Sequence, residues 1–199
     1  MTATSITKKY LVLYVSAFIV ILWIFNVVPS EVVEAITAQT ATWALTLFGH
    51  SATWEQSNGY TTLTLVGEKT VTVSIIRECT ALNVLGVMAG LILPLRANWL
   101  SRVIGVGFAG LLLFILNIPR IAFTLYLTAY DTWPFTLIIG RSLETYHYPI
   151  SFAFGVIGVA VTVLAVSRWV TPELSETLFL IIDRVIGSVK KENTDPSHS

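Results

Sequence analysis

The chain has 199 residues, of which 54% are hydrophobic and only 12% are charged, and its formal net charge is zero. Soluble domains carry about 25% charged residues, so this composition indicates a protein that is surrounded by a lipid bilayer. The balanced charge argues against general nucleic-acid binding. A single cysteine excludes an intrachain disulfide and a zinc site built from cysteine pairs. The length suits one membrane domain.

Four apolar stretches are predicted to cross the membrane, because each approaches or exceeds the roughly 20 residues that a spanning helix needs. The first is interpreted as a membrane anchor, since its apolar run is longer than that of a signal peptide. The predicted fold class is an all-α integral membrane bundle of about four transmembrane helices. The predicted spans cover residues 10–28, 80–96, 102–128 and 148–170.

The basic residues next to the ends of these spans at Lys8, Lys9, Arg96, Arg102 and Arg168 all lie on one side if four helices cross. The positive-inside rule therefore predicts a multi-pass protein of the cell membrane with both termini in the cytoplasm. Residues 29–78 and 129–147 would then face the outside.

The outer insertion, residues 29–78, is predicted to have structure of its own. Apolar residues at helical spacing over 31–48 indicate a helix that lies in the membrane interface. Residues 60–76 alternate between apolar and hydroxyl side chains around a central turn at Gly67, which predicts a small β-hairpin.

The segment after the fourth span is predicted to lie on the cytoplasmic surface. Thr171 and Pro172 resemble a helix cap followed by proline at the first helical position. Within residues 173–189 the apolar side chains recur at helical spacing and form a stripe, which predicts an interfacial helix. The tail, residues 190–199, is expected to be disordered.

Cys79, Arg120 and His147 are predicted to lie at one height on three different helices. A helix rises about 1.5 Å per residue, so the three spans climb roughly 26, 28 and 32 Å from their inner ends to these residues. The hydrocarbon core is about 30 Å thick. All three side chains should therefore reach the outer boundary of the membrane.

These three residue types suit a thiol acyl-transfer site. Cys79, near the start of the second span, is the candidate nucleophile, because a thiolate is favoured by a helix N-terminus or a nearby cation. His147 can carry a proton from the thiol to a leaving amine. Arg120 is a permanent cation that can hold a carbonyl, stabilise an oxyanion or orient the thiolate. Asn117, one turn below, is expected to anchor Arg120.

No cofactor or metal is expected at this site. The GVGFAG string at residues 105–110 matches a dinucleotide-binding motif in letters only, because it lies inside a predicted span and follows no strand. One cysteine and one histidine beside an acid make a poor metal-ligand set.

Other interpretations of the same residues stay open. A lone cysteine such as Cys79 is often a small, inert hydrophobe, and His147 can be an ordinary interfacial histidine. For the whole protein, a small transporter or channel subunit is an alternative and predicts a second buried ionisable residue near the middle of the membrane. A membrane scaffold without chemistry is another. Arg120 can instead snorkel to the headgroups or pair with Glu78, Asp131 or Glu144.

At these residues the sequence resembles the exosortase/archaeosortase family. The motif ECTAL at 78–82 opens one span, NIPR at 117–120 lies in the next, and His147 opens the one after, so that the resemblance covers about residues 77–170. Members of this family are multi-pass membrane cysteine enzymes of bacteria and archaea. They process exported proteins whose C-terminal sorting signal consists of a short motif, a hydrophobic helix and a basic cluster.

The resemblance implies that Cys79 is the nucleophile and that Arg120 and His147 complete the site. It further implies cleavage of sorting signals through a thioester that passes to water or to an amine or lipid acceptor. Many members have more spans than the four predicted here, and many have Cys-Ser-Gly or Cys-Thr-Gly where this chain has Cys-Thr-Ala. We therefore expect a short, divergent branch that retains the catalytic core.

Overall fold

A computed structural model describes residues 8–130 and 143–192 of the chain. Within these residues the chain forms a helical bundle with a small sheet at one end. The elements, in chain order, are α1 (Lys8–Val27), α2 (Glu31–Leu47), β1 (Ser51–Ser57), β2 (Tyr60–Val66), β3 (Thr70–Ile75), a 3₁₀ turn (Arg77–Cys79), α3 (Leu82–Ile92), α4 (Trp99–Tyr130), α5 (Leu143–Trp169) and α6 (Glu173–Glu192).

Three of the described helices are long and apolar enough to cross a membrane. The candidate spans are Lys9–Val27 in α1, Trp99–Tyr130 in α4 and Tyr146–Trp169 in α5. Large apolar side chains on these helices, such as Trp23 and Phe152, are exposed on the protein surface, which suits contact with lipid. The predicted fold class, a helical membrane bundle with a small β element, is confirmed.

The helix in the second predicted span, residues 80–96, is shorter than expected. α3 runs only from Leu82 to Ile92, and eleven residues are too short to cross the hydrocarbon core as a helix. Thr80 is extended before the helix begins. After it ends, Pro94 has no N–H to continue the hydrogen-bond pattern. Among the described residues, three helices are thus long enough to span, and the crossing of the membrane by residues 80–96 stays a prediction.

α3 and the turn before it nevertheless run antiparallel to α1 over much of its length. Near the N-terminal end of α1, the Tyr14 hydroxyl donates a hydrogen bond of 2.6 Å to the Leu91 carbonyl. Near its C-terminal end, the Arg77 guanidinium donates to the Phe25 carbonyl at 2.8 Å and also to the Val28 carbonyl. The chain just before α3 is therefore fixed to the C-terminal end of α1.

α4 runs antiparallel to α3, and α5 returns along α4. The Arg102 guanidinium donates to the Leu93 carbonyl at 2.7 Å near one end of the α3–α4 pair. The Asn117 amide donates to the Cys79 carbonyl at 2.8 Å near the other end. The start of α3 and the second half of α4 therefore lie at the same level of the bundle.

Gly90 permits the close approach of α3 to α1. A Cβ atom at this position would lie 2.7 Å from Cδ2 of Phe18 and 3.3 Å from the Phe18 carbonyl oxygen, whereas a Cβ at Gly107 would meet no atom within 4 Å. Gly90→Ala is expected to destabilise the protein by about 1–3 kcal/mol through overpacking. Gly107→Ala should be neutral or slightly stabilising, because alanine is the better helix former. Thermal unfolding in detergent measures both, and equal stability of the two variants would contradict this role of Gly90.

The outer insertion folds as a three-stranded antiparallel sheet in the order β1-β2-β3. β2 and β3 form the predicted hairpin around Gly67. Its alternation is also as predicted, because Leu63, Leu65 and Ile75 are buried while the intervening hydroxyl side chains are more exposed. β1 was missed by the sequence analysis and pairs with the other side of β2.

α2 packs on the sheet mainly through its small residues and not through the face that carries most of its large apolar side chains. Ala38, Ala41 and Leu45 are buried in one cluster with the sheet and the C-terminal half of α4. Val32 and Trp43 are 71% and 63% exposed. The helix is thus present, and its large apolar side chains are free for contact with the membrane interface, which remains a prediction.

α6 occupies the predicted interfacial segment at the opposite end of the bundle. Leu174 is fully buried in the cluster that joins α1, α3, α4 and α5. The predicted helix over 173–189 continues to Glu192, so the predicted tail, 190–199, begins inside a helix. Residues 193–199 lie outside the described residues.

Candidate functional site

Cys79 ends the 3₁₀ turn between β3 and α3. Its N–H donates to the Ile76 carbonyl at 2.8 Å. The hydroxyl of the buried Thr80 donates to the Arg77 carbonyl at 2.7 Å and accepts a bond of 3.3 Å from the Leu82 N–H, which begins α3. Cys79 therefore precedes α3 instead of lying in its first turn, and the influence of the helix dipole on the thiol is smaller than expected.

Asn117 holds the backbone of Cys79 in place. It is buried on α4, and its amide donates to the Cys79 carbonyl at 2.8 Å. The sequence analysis expected Asn117 to anchor Arg120, whereas the structure shows it bonded to the cysteine. This bond connects α4 directly to the turn that presents the thiol.

Asn117→Ala is expected to lower the free energy of unfolding by about 1–3 kcal/mol, because it leaves the Cys79 carbonyl without its buried partner. Asn26→Ala is the matched control. The Asn26 amide donates to the Leu22 carbonyl at 2.9 Å but is exposed, so its loss should change stability by about 0.5 kcal/mol or less. Thermal unfolding in detergent measures both, and equal effects would contradict a special role for the Asn117 bond.

Arg120 reaches the same turn from α4. Its side chain is half-buried, and Nη2 donates to the Glu78 carbonyl at 3.4 Å. Its guanidinium also interacts electrostatically with Cys79. The partner is thus the backbone of Glu78 and not its carboxylate. Of the other two acids considered as partners, Asp131 and the side chain of Glu144 lie outside what the structure describes.

His147 approaches from the first turns of α5. Its ring is half-buried and lies edge-on to the Tyr148 ring, with 5.8 Å between the ring centroids. It interacts electrostatically with Arg120. The imidazole therefore belongs to the same group of side chains as the guanidinium and the thiol.

A cavity of about 310 Å³ brings the three predicted site residues together. β3 and the turn after it form one wall, α4 forms the second, and the start of α5 forms the third. A smaller cavity of about 40 Å³ lies on the other side of Arg120 between α3, α4 and α5. The residues that line the larger cavity are Thr72, Val73, Ser74, Ile75, Ile76, Cys79, Arg120, Ile121, Thr124, Leu125, His147 and Tyr148.

The β3 wall of this cavity was not assigned by the sequence analysis. The Cys79 sulfur lies 3.9 Å from the Ser74 carbonyl oxygen, and the exposed Thr72 lies further along the same wall. The alternating pattern places Thr72 and Ser74 on one strand face, but it does not reveal that β3 is an edge strand beside the thiol. Tyr148 also lines the cavity.

This arrangement can support acyl transfer. A thiol, a permanent cation and an imidazole surround a space large enough for a short peptide segment. The cation can stabilise negative charge that develops on a carbonyl oxygen, and the imidazole can transfer a proton. These roles of Cys79, Arg120 and His147 remain predictions.

The described residues thus form a helical membrane protein with a cavity that is lined by a thiol, a guanidinium and an imidazole. The family model described as transmembrane exosortase matches residues 2–136, more than half of the 199 residues, and the chain belongs to the exosortase family. Membership implies exported proteins with sorting signals as the general class of substrate. Comparisons with curated proteins and with solved structures gave no match.

The extent of the family match differs from that of the resemblance seen in the motifs. It reaches back to residue 2 and so includes α1, α2 and the sheet, which the motif resemblance over 77–170 left out. It contains Cys79 and Arg120 but ends before His147. The placement of His147 at the site therefore depends on the cavity and not on the family match.

Proposed function

We propose that this protein is a cysteine-type membrane peptidase or transpeptidase that cleaves the C-terminal sorting signals of exported proteins. The observation that carries the proposal is the single cavity lined by Cys79, Arg120 and His147, each from a different element of the bundle. Membership of the exosortase family supports the same function.

In the proposed reaction, the Cys79 thiolate attacks the carbonyl carbon of the scissile peptide bond and a C–S bond forms. Arg120 stabilises the negative charge on the carbonyl oxygen. As the C–N bond breaks, His147 donates to the leaving amine the proton that it took from the thiol. Water, or an amine or lipid acceptor, then attacks the thioester carbonyl carbon, and the C–S bond breaks. The proton of the attacking O–H or N–H passes through His147 to the released Cys79 thiolate.

The proposed orientation places the cavity outside and both termini in the cytoplasm. The end of the bundle opposite the cavity carries Lys9, Arg96, Arg102 and Arg168, and the positive-inside rule assigns that end to the cytoplasm. The hydrophobic helix of a substrate would then lie in the bilayer beside α4 and α5, with its sorting motif level with the cavity.

A transporter or channel subunit fits the structure less well. Such a protein needs a second buried ionisable residue in the membrane-spanning region. Among the described residues of the three candidate spans, no Asp, Glu, Lys, Arg or His side chain is buried, and the buried polar groups are those of Asn117, threonines and the phenols of Tyr14 and Tyr146. A scaffold without chemistry gives no reason for a costly arginine beside the thiol.

The thioester intermediate gives a direct test. Membranes that contain the protein would be incubated with a tagged exported protein that ends in a short motif, a hydrophobic helix and a basic cluster. The expected result is a covalent adduct between the tag-bearing fragment and the protein that hydroxylamine releases and that Cys79→Ala abolishes. Processing that proceeds normally in the alanine variant would overturn the proposal.

The orientation can be tested separately, because Cys79 is the only thiol in the chain. A membrane-impermeant maleimide should modify it in intact cells. Modification only after the cytoplasmic side is opened would overturn the proposed orientation.

A further inference from the structure

The wall of the cavity beside Cys79 is a free sheet edge. The sheet order β1-β2-β3 makes β3 an edge strand, and no strand pairs with its outer side within residues 8–130 and 143–192. β3 and the residue after it line the cavity from Thr72 to Ile76. A free edge presents backbone donors and acceptors to whatever occupies the space beside it.

The register of the sheet identifies which backbone groups face this edge. The turn between β1 and β2 consists of Asn58 and Gly59, both with positive φ, and Ser57 pairs with Tyr60. In such a two-residue hairpin the pair next to the turn is hydrogen-bonded, and hydrogen-bonded pairs then alternate along the ladder. The backbone groups of Thr62 and Thr64 in β2 are thus directed to β1.

The alternate residues of β2 must therefore bond to β3. Leu63 pairs with Val73, so Val73 directs its N–H and C=O groups to β2. Thr72 and Ser74, on either side of Val73, direct theirs to the free edge. Among the described residues, no strand pairs with these two residues on that side.

Two contacts agree with this assignment. The hydroxyl oxygens of Thr64 and Thr72 are 2.9 Å apart, and side chains approach more closely in pairs that are not hydrogen-bonded. The Cys79 sulfur lies 3.9 Å from the Ser74 carbonyl oxygen, which requires that carbonyl to point away from β2 and towards the thiol. The free backbone groups of β3 thus lead to the candidate nucleophile.

We propose that the substrate binds as an extended strand added to the β3 edge, through the free backbone groups of Thr72 and Ser74, and that this brings its scissile carbonyl to Cys79. The inference rests on the proposed function and assigns the part of the site that holds the sorting motif. An extended peptide satisfies the edge groups whatever its side chains are, and alternate side chains then enter the cavity. This accounts for recognition of a motif that is short.

The cavity dimensions suit such a segment. A strand rises about 3.3 Å per residue, so the distance along β3 from Thr72 to Ser74 accommodates roughly two substrate residues, and a cavity of about 310 Å³ holds side chains of a short motif. The thiol lies directly beside the Ser74 end of this edge. A second copy of the chain on the same edge would cover Cys79 and block the site.

A proline substitution tests the edge selectively. Thr72→Pro removes one N–H that faces the free edge and leaves the backbone hydrogen bonds between β2 and β3 intact. It also removes the hydroxyl that bonds to Thr64, a loss that Thr72→Val shares while keeping the N–H. Gln56→Pro is the matched control, because Gln56 pairs with Thr61 on the exposed β1 edge and by the same alternation directs its N–H away from β2. We expect Thr72→Pro to slow processing of the tagged substrate roughly three- to tenfold, as the loss of one hydrogen bond implies, and Gln56→Pro to leave it unchanged.

Cross-linking keeps the test decisive if the proline variant folds poorly. A photoreactive phenylalanine analogue would be placed at Thr72 or Gln56 in the Cys79→Ala background, in which the substrate is bound but not consumed. The tagged substrate should be captured from position 72 and not from position 56. Unchanged processing by Thr72→Pro, or capture of a second copy of the chain from position 72, would overturn the strand-addition model. Neither of these results would contradict the proposed function. The proposed function would instead be contradicted if Cys79→Ala still processed the substrate.

Discussion

Cys79→Ala is expected to abolish processing of a sorting-signal substrate, with a loss of roughly a thousandfold or more, as for other enzymes that lose their nucleophile. Alanine cannot form the C–S bond that the reaction requires. The variant should still reach the membrane in normal amounts, because the half-buried Cys79 side chain bonds only weakly to the Ser74 carbonyl, and alanine keeps part of its apolar packing against the core. The measurement is the shift in size of the tagged substrate in membranes that contain the wild type or the variant.

The control for this prediction is the stability of the variant itself. Cys79→Ala and Cys79→Ser should unfold at nearly the same temperature as the wild type, since Asn117 bonds to the backbone carbonyl that both variants keep. Serine should be almost as inactive as alanine, because its hydroxyl is a far weaker nucleophile than a thiol at neutral pH. Full activity in either variant would contradict the thiol mechanism and the roles that it assigns to His147 and Arg120.

The meeting of Cys79, Arg120 and His147 around one cavity could be predicted from the sequence because helix rise is additive. Each of the three residues is separated from the basic residue at the other end of its segment by a length of chain that spans about one membrane thickness. This estimate holds even where part of the segment is not helical. Cys79 lies beside Arg120 and His147 although α3 itself is only eleven residues long. The extended residues before α3 and the turn after it also run along α1, so the segment keeps most of its expected length.

Other parts of the fold depend on contacts that are distant in sequence. β1 is half polar, and its Ala52 and Trp54 are specified as strand residues by pairing with Leu65 and Leu63 of β2. The packed face of α2 consists largely of small residues, which carry less apolar surface than valine and tryptophan but permit close approach. The partner of Asn117 also required the structure, since Arg120 is nearer in sequence than Cys79.

Arg120→Lys is expected to lower the rate of processing by about a hundredfold, even though it keeps the positive charge. The guanidinium has five donors in a planar fork, and the structure uses one of them on the Glu78 carbonyl at 3.4 Å. Arg120 also lines the cavity together with Cys79. A lysine ammonium is a compact charge that cannot hold the turn and support an oxyanion in the same planar geometry. Initial rates of cleavage at saturating and limiting substrate measure the effect.

Two matched variants separate this role from a general effect of charge. Arg168→Lys makes the same change on α5 at the exposed, opposite end of the bundle and should leave the rate unchanged. Glu78→Gln should also be nearly neutral, because Arg120 bonds to the backbone carbonyl of residue 78 and not to its side chain. If Glu78→Gln were as damaging as Arg120→Lys, an ion pair between the two side chains would be the function of the arginine. If Arg120→Lys were fully active, positive charge alone would suffice. The predicted order of rates, with Arg168→Lys and Glu78→Gln near the wild type and Arg120→Lys far below, arises only if the fork itself serves the reaction.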